Sequence, residues 1–123
     1  MNTQKAADVS AIQSWHAHVY FSPETRHHAA QLREWVGERF PRVRFGLWRE
    51  QKIGPHTQPM YQIAFENADY AAIVPFLALN RNGLAVLVHP ETGRERADHT
   101  DHALWMGAVL PLDTSVLREQ VTL

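Results

Sequence analysis

The chain has 123 residues, of which 45% are apolar and 20% are charged, a composition that fits one globular domain and leaves no length for a second. Lys and Arg total 12 against 13 for Asp and Glu, so the chain lacks the positive field that non-specific nucleic-acid binding uses. The lack of Cys excludes disulfides, thiolate zinc sites and a cysteine nucleophile. Because no signal peptide or membrane span stands out, we expect a cytoplasmic protein without nucleic-acid or membrane partners.

The N-terminal third of the chain predicts a strand followed by a helix. Residues 1–13 are polar and small, and we expect a flexible terminus there. Apolar and polar residues alternate over 15–21, which predicts a strand with one apolar face. Ser22 is a suitable N-cap for a helix over about 23–40, which Pro41 ends.

The middle of the chain predicts two strands, a second helix and a fourth strand. Alternation over 43–48, and again over 60–65, indicates the second and third strands. A second helix is predicted between Asn67 and Asn82, with a kink or a restart at Pro75. The apolar run over 84–89 is typical of a strand that is covered on both faces.

This order of elements predicts an α+β fold, the ferredoxin-like βαββαβ arrangement. In that arrangement both helices cover one face of an antiparallel sheet, and the fourth strand lies beside the first. We interpret residues 1–123 as a single domain in which residues 91–123 form a C-terminal appendage. The appendage is expected to contain an irregular histidine-bearing loop, a short extended piece at 103–106 and a short helix capped by Asp113.

The chain contains eight histidines, and three of them are predicted to share the helix-free face of the sheet. Alternation places His16 and His18 opposite the apolar face of the first strand, and a His-x-His pair on a strand can bind Zn or non-haem Fe. His89 ends the neighbouring fourth strand and falls on the same side. We therefore predict His16, His18 and His89 as metal ligands. The alternative is a half-exposed face of ordinary histidines, since the register of the strands is open.

Two further histidines lie in loops at the rim of the sheet. His56 follows Gly54-Pro55 and His99 follows the last strand, so each can reach a bound substrate more easily than it can complete a rigid coordination shell. We predict that His56 and His99 are catalytic acid/base groups. Asp98 or Asp101 is then a carboxylate that orients an imidazole or binds the metal.

Polar and aromatic side chains complete the predicted site. Gln62 lies on the helix-free face of the third strand, and its amide can hydrogen-bond a substrate hydroxyl. Tyr20 and Trp105 are predicted to bind substrate as pocket walls, and Trp48 is a further candidate for a wall. The other large aromatic residues fit core positions better: Trp15, Trp35, Phe40 and Phe45.

Several segments together resemble the small bacterial and fungal DOPA 4,5-dioxygenase-like family. They are Trp15-His16-Ala17-His18-Val19-Tyr20-Phe21, Gly54-Pro55-His56, Leu87-Val88-His89-Pro90-Glu91-Thr92-Gly93, and Asp98-His99-Thr100 with Leu104-Trp105-Met106-Gly107. The resemblance points to five histidines as site residues: His16, His18, His56, His89 and His99. It implies a mononuclear non-haem Fe(II), for which Zn is a possible substitute, and an extradiol reaction in which O2 cleaves a small catechol beside its diol.

Two other functions remain open from the sequence. One is a metal protein, for example with Zn in a closed coordination shell, that is non-catalytic or catalyses a different reaction. The other is a sheet-to-sheet interaction domain in which the histidines are incidental. For the dioxygenase as well as for these alternatives a homodimer is expected, because the fourth strand is apolar on both sides and a lone sheet would expose a large apolar patch.

Overall fold

A computed structural model describes residues 5–123 and shows a single five-stranded sheet. The strands follow the order β2-β3-β1-β4-β5, and every neighbouring pair is antiparallel. The first four strands and two helices confirm the ferredoxin-like arrangement, to which β5 adds an edge strand beside β4. The elements are β1 Ser14–Tyr20, α1 Arg26–Arg39, β2 Arg44–Phe45, β3 Met60–Phe65, α2 Tyr70–Asn80, β4 Val86–Glu91, α3 Glu95–His99 and β5 Leu104–Met106.

Both long helices pack on one face of the sheet, as the alternation in β1 predicts. Ala17 and Val19 of β1 lie in the same buried cluster as residues of α1 and α2. The fully buried helix residues in this cluster are Ala29, Leu32, Val36, Ile73 and Leu77. One predicted core residue is placed wrongly: Trp35 is 37% exposed, because it lies on the outer side of α1.

The helix boundaries differ from the predicted ones for local reasons. Residues 23–25 form a turn in which the Thr25 N–H donates to the Ser22 carbonyl at 3.1 Å, so α1 begins at Arg26. A 3₁₀ turn at Asn67–Asp69 precedes α2. The restart predicted at Pro75 as an alternative to a kink is absent, since α2 continues through this residue. The helix ends before Asn82 and Gly83, both of which have positive φ.

The second strand is interrupted by an extra residue. Phe45 opposes Ile63 and Arg49 opposes Met60, so four steps on one strand match three on the other. This is the pattern of a β-bulge, which shifts the alternation of side chains by one position. Trp48 therefore packs on the helix side, with its ring centroid 4.4 Å from that of Phe21. Trp48 therefore does not line the cavities on the helix-free face, although it lines a groove on the helix side with Phe45.

The C-terminal residues 91–123 are integrated into the domain and do not form a separate appendage. They supply β5 and the helix α3, which replaces the irregular loop expected before residue 100. The extended piece at 103–106 is confirmed, and Asp113 caps a 3₁₀ turn at Thr114–Val116. A second buried cluster lies on the helix-free face. It contains Tyr20, Met60 and Leu87, packed against Ala85, Ala103, Trp105, Leu110 and Leu112.

This cover removes the physical argument used for a homodimer. The fourth strand does not present an open apolar face, because Leu87 is fully buried within the chain itself. The homodimer stays a prediction without that support.

Part of the terminus expected to be flexible is held in place. Residues 1–4 lie outside the described part of the chain. Val9–Ala11 form a 3₁₀ turn, and the Gln13 N–H donates to the Glu91 carbonyl at 2.9 Å. The Asn67 side-chain amide donates to the Ile12 carbonyl. Within residues 5–123, no helix combines the length and apolar character needed to cross a bilayer.

Candidate metal centre

The three strand histidines meet on the helix-free face of the sheet. His16 of β1 is directly opposite His89 of β4, with ring centroids 5.2 Å apart. His18 lies two residues further along β1, and its Nε2 atom is 3.1 Å from Nε2 of His89. The strand register, which the sequence leaves open, thus brings together the three residues predicted to bind metal.

The two loop histidines join this group from opposite sides. His56 lies before β3 in a segment bridged to Ile53 and to Leu112, and its ring centroid is 4.1 Å from that of His18. His99 ends α3, with its ring centroid 4.1 Å from that of His89. The five imidazoles form one group, which we call the histidine cluster: His16, His18, His56, His89 and His99.

Within the described chain, the histidine cluster contains two sets of three residues with metal-ligand spacing. One is His16, His18 and His89, and the other is His18, His56 and His99. In each set, one nitrogen atom from every residue lies within 4.8 Å of the others. His18 belongs to both sets, which makes it the central residue of the cluster.

Burial keeps the central imidazoles neutral. His18, His56 and His89 are 2%, 5% and 0% exposed. Desolvation, followed by repulsion from the other histidines, lowers the pKa of His18 and of His89 well below the usual value. The same causes, with desolvation the larger, lower the pKa of His56 to about 4. Neutral imidazole is the form that binds metal, so these residues need not lose a proton first.

Hydrogen bonds to backbone carbonyls fix the protonation of two rings. Nδ1 of His89 is 3.0 Å from the Pro90 carbonyl oxygen, and Nδ1 of His99 is 2.8 Å from that of Glu95. Because a carbonyl oxygen only accepts, each Nδ1 carries the proton in the neutral ring. Nε2 is then the unprotonated nitrogen of His89 and of His99, as in a metal-binding histidine whose other nitrogen is held by the protein.

His18 supplies the observation that fits a metal ion best. Its Nε2 faces the unprotonated Nε2 of His89, and its buried Nδ1 has no hydrogen-bond partner among residues 5–123. A buried nitrogen without a partner costs free energy, which a bound cation recovers by accepting the lone pair. The neutral imidazole donors, their spacing and this unpaired nitrogen all suit a divalent ion of the Zn or Fe(II) type.

One site residue was missed in the sequence, where residue 91 was assigned to the C-terminal appendage. Glu91 is the last residue of β4, and its Oε1 is 3.0 Å from Nδ1 of His16 and 3.6 Å from Nδ1 of His89. The signal was present in the sequence, because residues two apart on a strand share a face and Glu91 follows His89 by two. Glu91 orients the ring of His16 and lies beside that of His89.

Asp98 is the orienting carboxylate of a different histidine. It is buried, and it accepts hydrogen bonds from the Thr92 N–H at 2.8 Å and the Thr92 hydroxyl at 2.7 Å. Its Oδ1 also lies 2.9 Å from Nδ1 of His102. Both oxygens are thus committed to residues outside the histidine cluster. Asp101 is exposed. The remaining histidines, His27, His28 and His102, also lie outside the cluster.

The residues predicted to bind substrate surround the histidine cluster. The Tyr20 hydroxyl lies 2.7 Å from Nδ1 of His56, so its polar group is committed to that ring. Trp105 stacks on Tyr20 with ring centroids 5.8 Å apart, and it lines a small cavity with His99. Gln62 is half-buried, and it lines two cavities together with His18 and His56.

Two cavities meet at the histidine cluster. The first, which we call the acidic cavity, has a volume of about 240 Å³ and is lined by His16, His18, His56 and His99 together with Glu91, Glu95 and Asp98. The second, which we call the Arg49 cavity, has a volume of about 330 Å³. It is reached past His18, His56 and Gln62 and extends to Arg49. The cluster is therefore accessible to a small molecule from either side.

Comparison with known proteins gives this site a family. Residues 15–116 match the Dopa 4,5-dioxygenase family. The chain belongs to this family. The matched range includes all five members of the histidine cluster and Glu91, so the resemblance drawn from short motifs is confirmed across the domain.

Two known proteins match most of this chain in sequence. An uncharacterized 21.2 kDa protein of Botryotinia fuckeliana is 36% identical over 112 residues, which cover 82% of this chain and 61% of that protein. The DOPA 4,5-dioxygenase of Amanita muscaria is 32% identical over 130 residues, covering 95% and 57%. The chain spans about three-fifths of these two relatives.

A solved structure agrees with the fold. The crystal structure of a candidate dioxygenase from Nostoc punctiforme is 46% identical and superposes with a TM-score of 0.88, covering 90% of this chain and 96% of that one. This likeness extends over nine-tenths of the chain.

Proposed function

We propose that this protein is a non-haem Fe(II) dioxygenase of the extradiol type, which inserts O2 into a small catechol and opens the ring beside the diol. The observation that carries the proposal is His18, a buried neutral imidazole shared by two sets of metal-ligand spacing in a chain of a dioxygenase family. Neutral ligands with open positions suit iron that must accept both a diol and O2.

In this proposal His16, His18 and His89 hold the metal. Glu91 fixes the ring of His16, and the Pro90 carbonyl fixes the Nδ1 proton of His89, so the nitrogens are oriented before the ion binds. Bound there, Fe(II) supplies the redox chemistry that allows O2 to react with a catechol ring. Zn fits the same nitrogens but has no redox chemistry, so it would occupy the site as an inert substitute.

His56 and His99 are the proposed acid/base groups. A catechol has two hydroxyl protons, and each of these rings can present an unprotonated Nε2. The lowered pKa of His56 keeps that ring neutral at pH 7, so it begins the reaction as a proton acceptor. When Nε2 takes a proton, Nδ1–H donates to the Tyr20 oxygen, since a hydroxyl can donate or accept. Tyr20 thereby orients His56 and does not need to contact the substrate.

The space at the histidine cluster suits one aromatic ring. Benzene occupies a cavity of about 150 Å³ in an engineered protein, so about 240–330 Å³ leaves room for a ring and a short substituent. Gln62 lies at the boundary of both cavities, and its amide is placed to hydrogen-bond a ring hydroxyl. Trp105 and Tyr20 form an apolar wall that limits the access of water.

The test is O2 uptake by protein purified without oxygen and loaded with Fe(II). With a simple catechol we expect one O2 consumed per yellow ring-opened product, and no uptake by the same protein loaded with Zn. Failure of the Fe(II) form to consume O2, together with tight retention of Zn, would instead support a non-catalytic metal-binding module.

A further inference from the structure

A further cavity lies beside the start of β1 and the end of β4, under the N-terminal segment. We call it the N-terminal cavity, and its volume is about 330 Å³. Ile12, Trp15 and Pro90 supply apolar lining, and residues 7–9 with Ala11 form the wall on the N-terminal side. The segment is held in place, because the Asn67 side-chain amide donates to the Ile12 carbonyl at 3.0 Å. A preformed, largely apolar cavity of this size is typical of a small-molecule site.

The N-terminal cavity and the acidic cavity are separate spaces that share a wall. On β1, Trp15 lines the N-terminal cavity and His16 lines the acidic cavity. Trp15 is directly opposite Pro90 of β4 and packs against the core on the helix side, whereas the histidine cluster lies on the helix-free face. Residues 90, 92 and 94 likewise line the N-terminal cavity, and residues 91, 93 and 95 line the acidic cavity. A ligand in the N-terminal cavity therefore occupies different space from a substrate at the histidine cluster.

The apolar lining of the N-terminal cavity includes an indole ring whose polar group is already satisfied. The Trp15 Nε1–H donates to Oδ1 of Asn67 at 2.8 Å, and the ring packs on Tyr70 with centroids 4.5 Å apart. Because the indole has no other hydrogen-bond donor, Trp15 offers the cavity an apolar surface. Aromatic rings pack favourably on such a surface.

One positive charge at the N-terminal cavity has no partner within residues 5–123. Arg94 lines the cavity and is exposed, and its guanidinium forms no ion pair with any of these residues. Asp8 also lines the cavity, but its carboxylate is used as the cap of the 3₁₀ turn at Val9–Ala11, where it accepts the Ser10 N–H at 3.1 Å. An apolar cavity with an unpaired guanidinium suits a molecule that has an apolar body and a carboxylate.

A buried carboxylate holds a histidine in the wall of the same cavity. Asp98 is 2% exposed, and its Oδ1 lies 2.9 Å from Nδ1 of His102, which lines the cavity. Because a carboxylate only accepts, Nδ1 carries the proton in the neutral ring and Nε2 is the acceptor. Thr92 fixes Asp98 in turn through its N–H and its hydroxyl. His102 is thus an oriented acceptor for an N–H or O–H group of a ligand.

We propose that the N-terminal cavity is a second binding site, specific for an aromatic carboxylic acid that also carries an N–H or O–H donor. The ring of the ligand packs on Trp15 and Pro90, Arg94 binds the carboxylate, and His102 accepts the hydrogen bond from the donor. The site needs no metal and has no part in the ring-opening reaction proposed above. The inference therefore stands or falls independently of that reaction.

The test of the carboxylate compares three indoles that differ in charge: indole-3-acetate, the neutral indole-3-acetamide and the cation tryptamine. Binding is measured by titration calorimetry on Zn-loaded protein, and we expect wild type to bind indole-3-acetate most tightly. Arg94→Gln should weaken indole-3-acetate by about 10-fold, the loss expected for a charge-assisted hydrogen bond, and change indole-3-acetamide by less than about twofold. Tighter binding of tryptamine would make Asp8 the determinant of specificity and overturn the proposal.

The donor is tested with benzothiophene-3-acetate, in which sulfur replaces the indole N–H. Wild type should bind indole-3-acetate more tightly than this analogue, because the analogue cannot donate to His102. His102→Phe should remove the difference, while Asp98 keeps both hydrogen bonds from Thr92. A difference that survives in His102→Phe would overturn the role of His102.

Two variants control for the place of binding. Arg118→Gln removes an exposed arginine that does not line the cavity, and it should leave every affinity unchanged. Ala11→Phe fills the cavity from its exposed wall, and it should abolish binding of indole-3-acetate while Zn content and the urea midpoint stay those of wild type. Undiminished binding of indole-3-acetate by Ala11→Phe or by Arg94→Gln would place the acid elsewhere, for example on the Zn ion, and overturn the inference.

Discussion

The two faces of the sheet are built for different purposes. On the helix side, the buried residues of β1, α1 and α2 are apolar and fill a continuous core. On the other side, the buried residues include three histidines, and the cover comes from α3 and irregular segments. The same strand β1 serves both faces, with Ala17 and Val19 on one and His16 and His18 on the other. Because side chains alternate along β1, the apolar core that stabilises the fold and the candidate site lie on opposite faces of one strand.

Burial of polar atoms on the helix-free face reduces the stability of the fold, and His18 shows how. Its buried Nδ1 lacks a hydrogen-bond partner within the described chain, whereas the helix face buries mainly carbon. A buried polar atom in this state destabilises a fold by about 1–3 kcal/mol. The comparison predicts that substitutions on the helix face reduce stability, and that substitutions in the histidine cluster reduce metal binding and turnover instead.

The largest expected effect is that of His18→Ala, which removes the ligand common to both histidine sets. We expect the variant to lose its metal during gel filtration and to show no turnover, while the metal-free protein keeps its fold. Metal content and O2 uptake are measured on the same preparation. His27→Ala, an exposed histidine on α1, is the control and should behave as wild type. Full iron and full rate in His18→Ala would place the site elsewhere.

Next in size are His56→Ala and His99→Ala. Because a general base contributes about 10²- to 10⁴-fold in rate, each variant should lose turnover by that order and keep most of its iron. The two measurements again come from one preparation. Loss of iron in proportion to activity would move that histidine into the set of metal ligands and displace a strand histidine, most readily the half-buried His16.

On the opposite face, Leu77→Ala should reduce stability without changing the site. Leu77 is fully buried on α2, and such a truncation costs about 2–5 kcal/mol. We expect a lower urea midpoint, with iron content and turnover per folded molecule unchanged at a temperature where the variant is folded. A loss of iron in the folded variant would show that the two faces are coupled and would break the comparison.

A smaller effect is expected in the stability of the metal-free protein as pH falls. His56 titrates near 6.5 in the unfolded chain, but burial lowers its pKa to about 4 in the fold, so the unfolded state binds more protons between these values. The free energy of unfolding is therefore unaffected by this ring above pH 6.5. It decreases as the pH falls toward 4, by about 1.4 kcal/mol per pH unit for each such histidine. The urea midpoints at pH 7.5 and pH 5 measure this loss of stability. His56→Leu should reduce the dependence; an unchanged slope would argue against a buried neutral ring.

Much of this architecture follows from local patterns in the sequence. Alternation in β1 fixes the direction of His16 and His18, and the βαββαβ order makes β4 a neighbour of β1. These two features are enough to bring His89 to the same face. The alternation of side chains between the two faces of a strand is a local property, so one sequence suffices to predict it.

The parts that could not be predicted depend on long-range pairing. The bulge that turns Trp48 inward and Arg49 outward is visible only once β2 is aligned with β3. The helix α3, which places His99, has five residues and is too short to show a periodic pattern. The cover of the helix-free face by Leu110 and Leu112 requires the chain to return across the sheet, and no local signal predicts that return.

The central claim, that the histidine cluster binds one ion through the strand histidines, is tested most directly by NMR of the imidazole nitrogens during a Zn titration. Ligand nitrogens change their shifts on binding, and each ring can be assigned by single substitution. We predict saturation at one ion per chain, with the largest shifts at His16, His18 and His89 and smaller ones at His56 and His99. Saturation without shifts at the strand histidines, or with the largest shifts at His18, His56 and His99, would contradict the account.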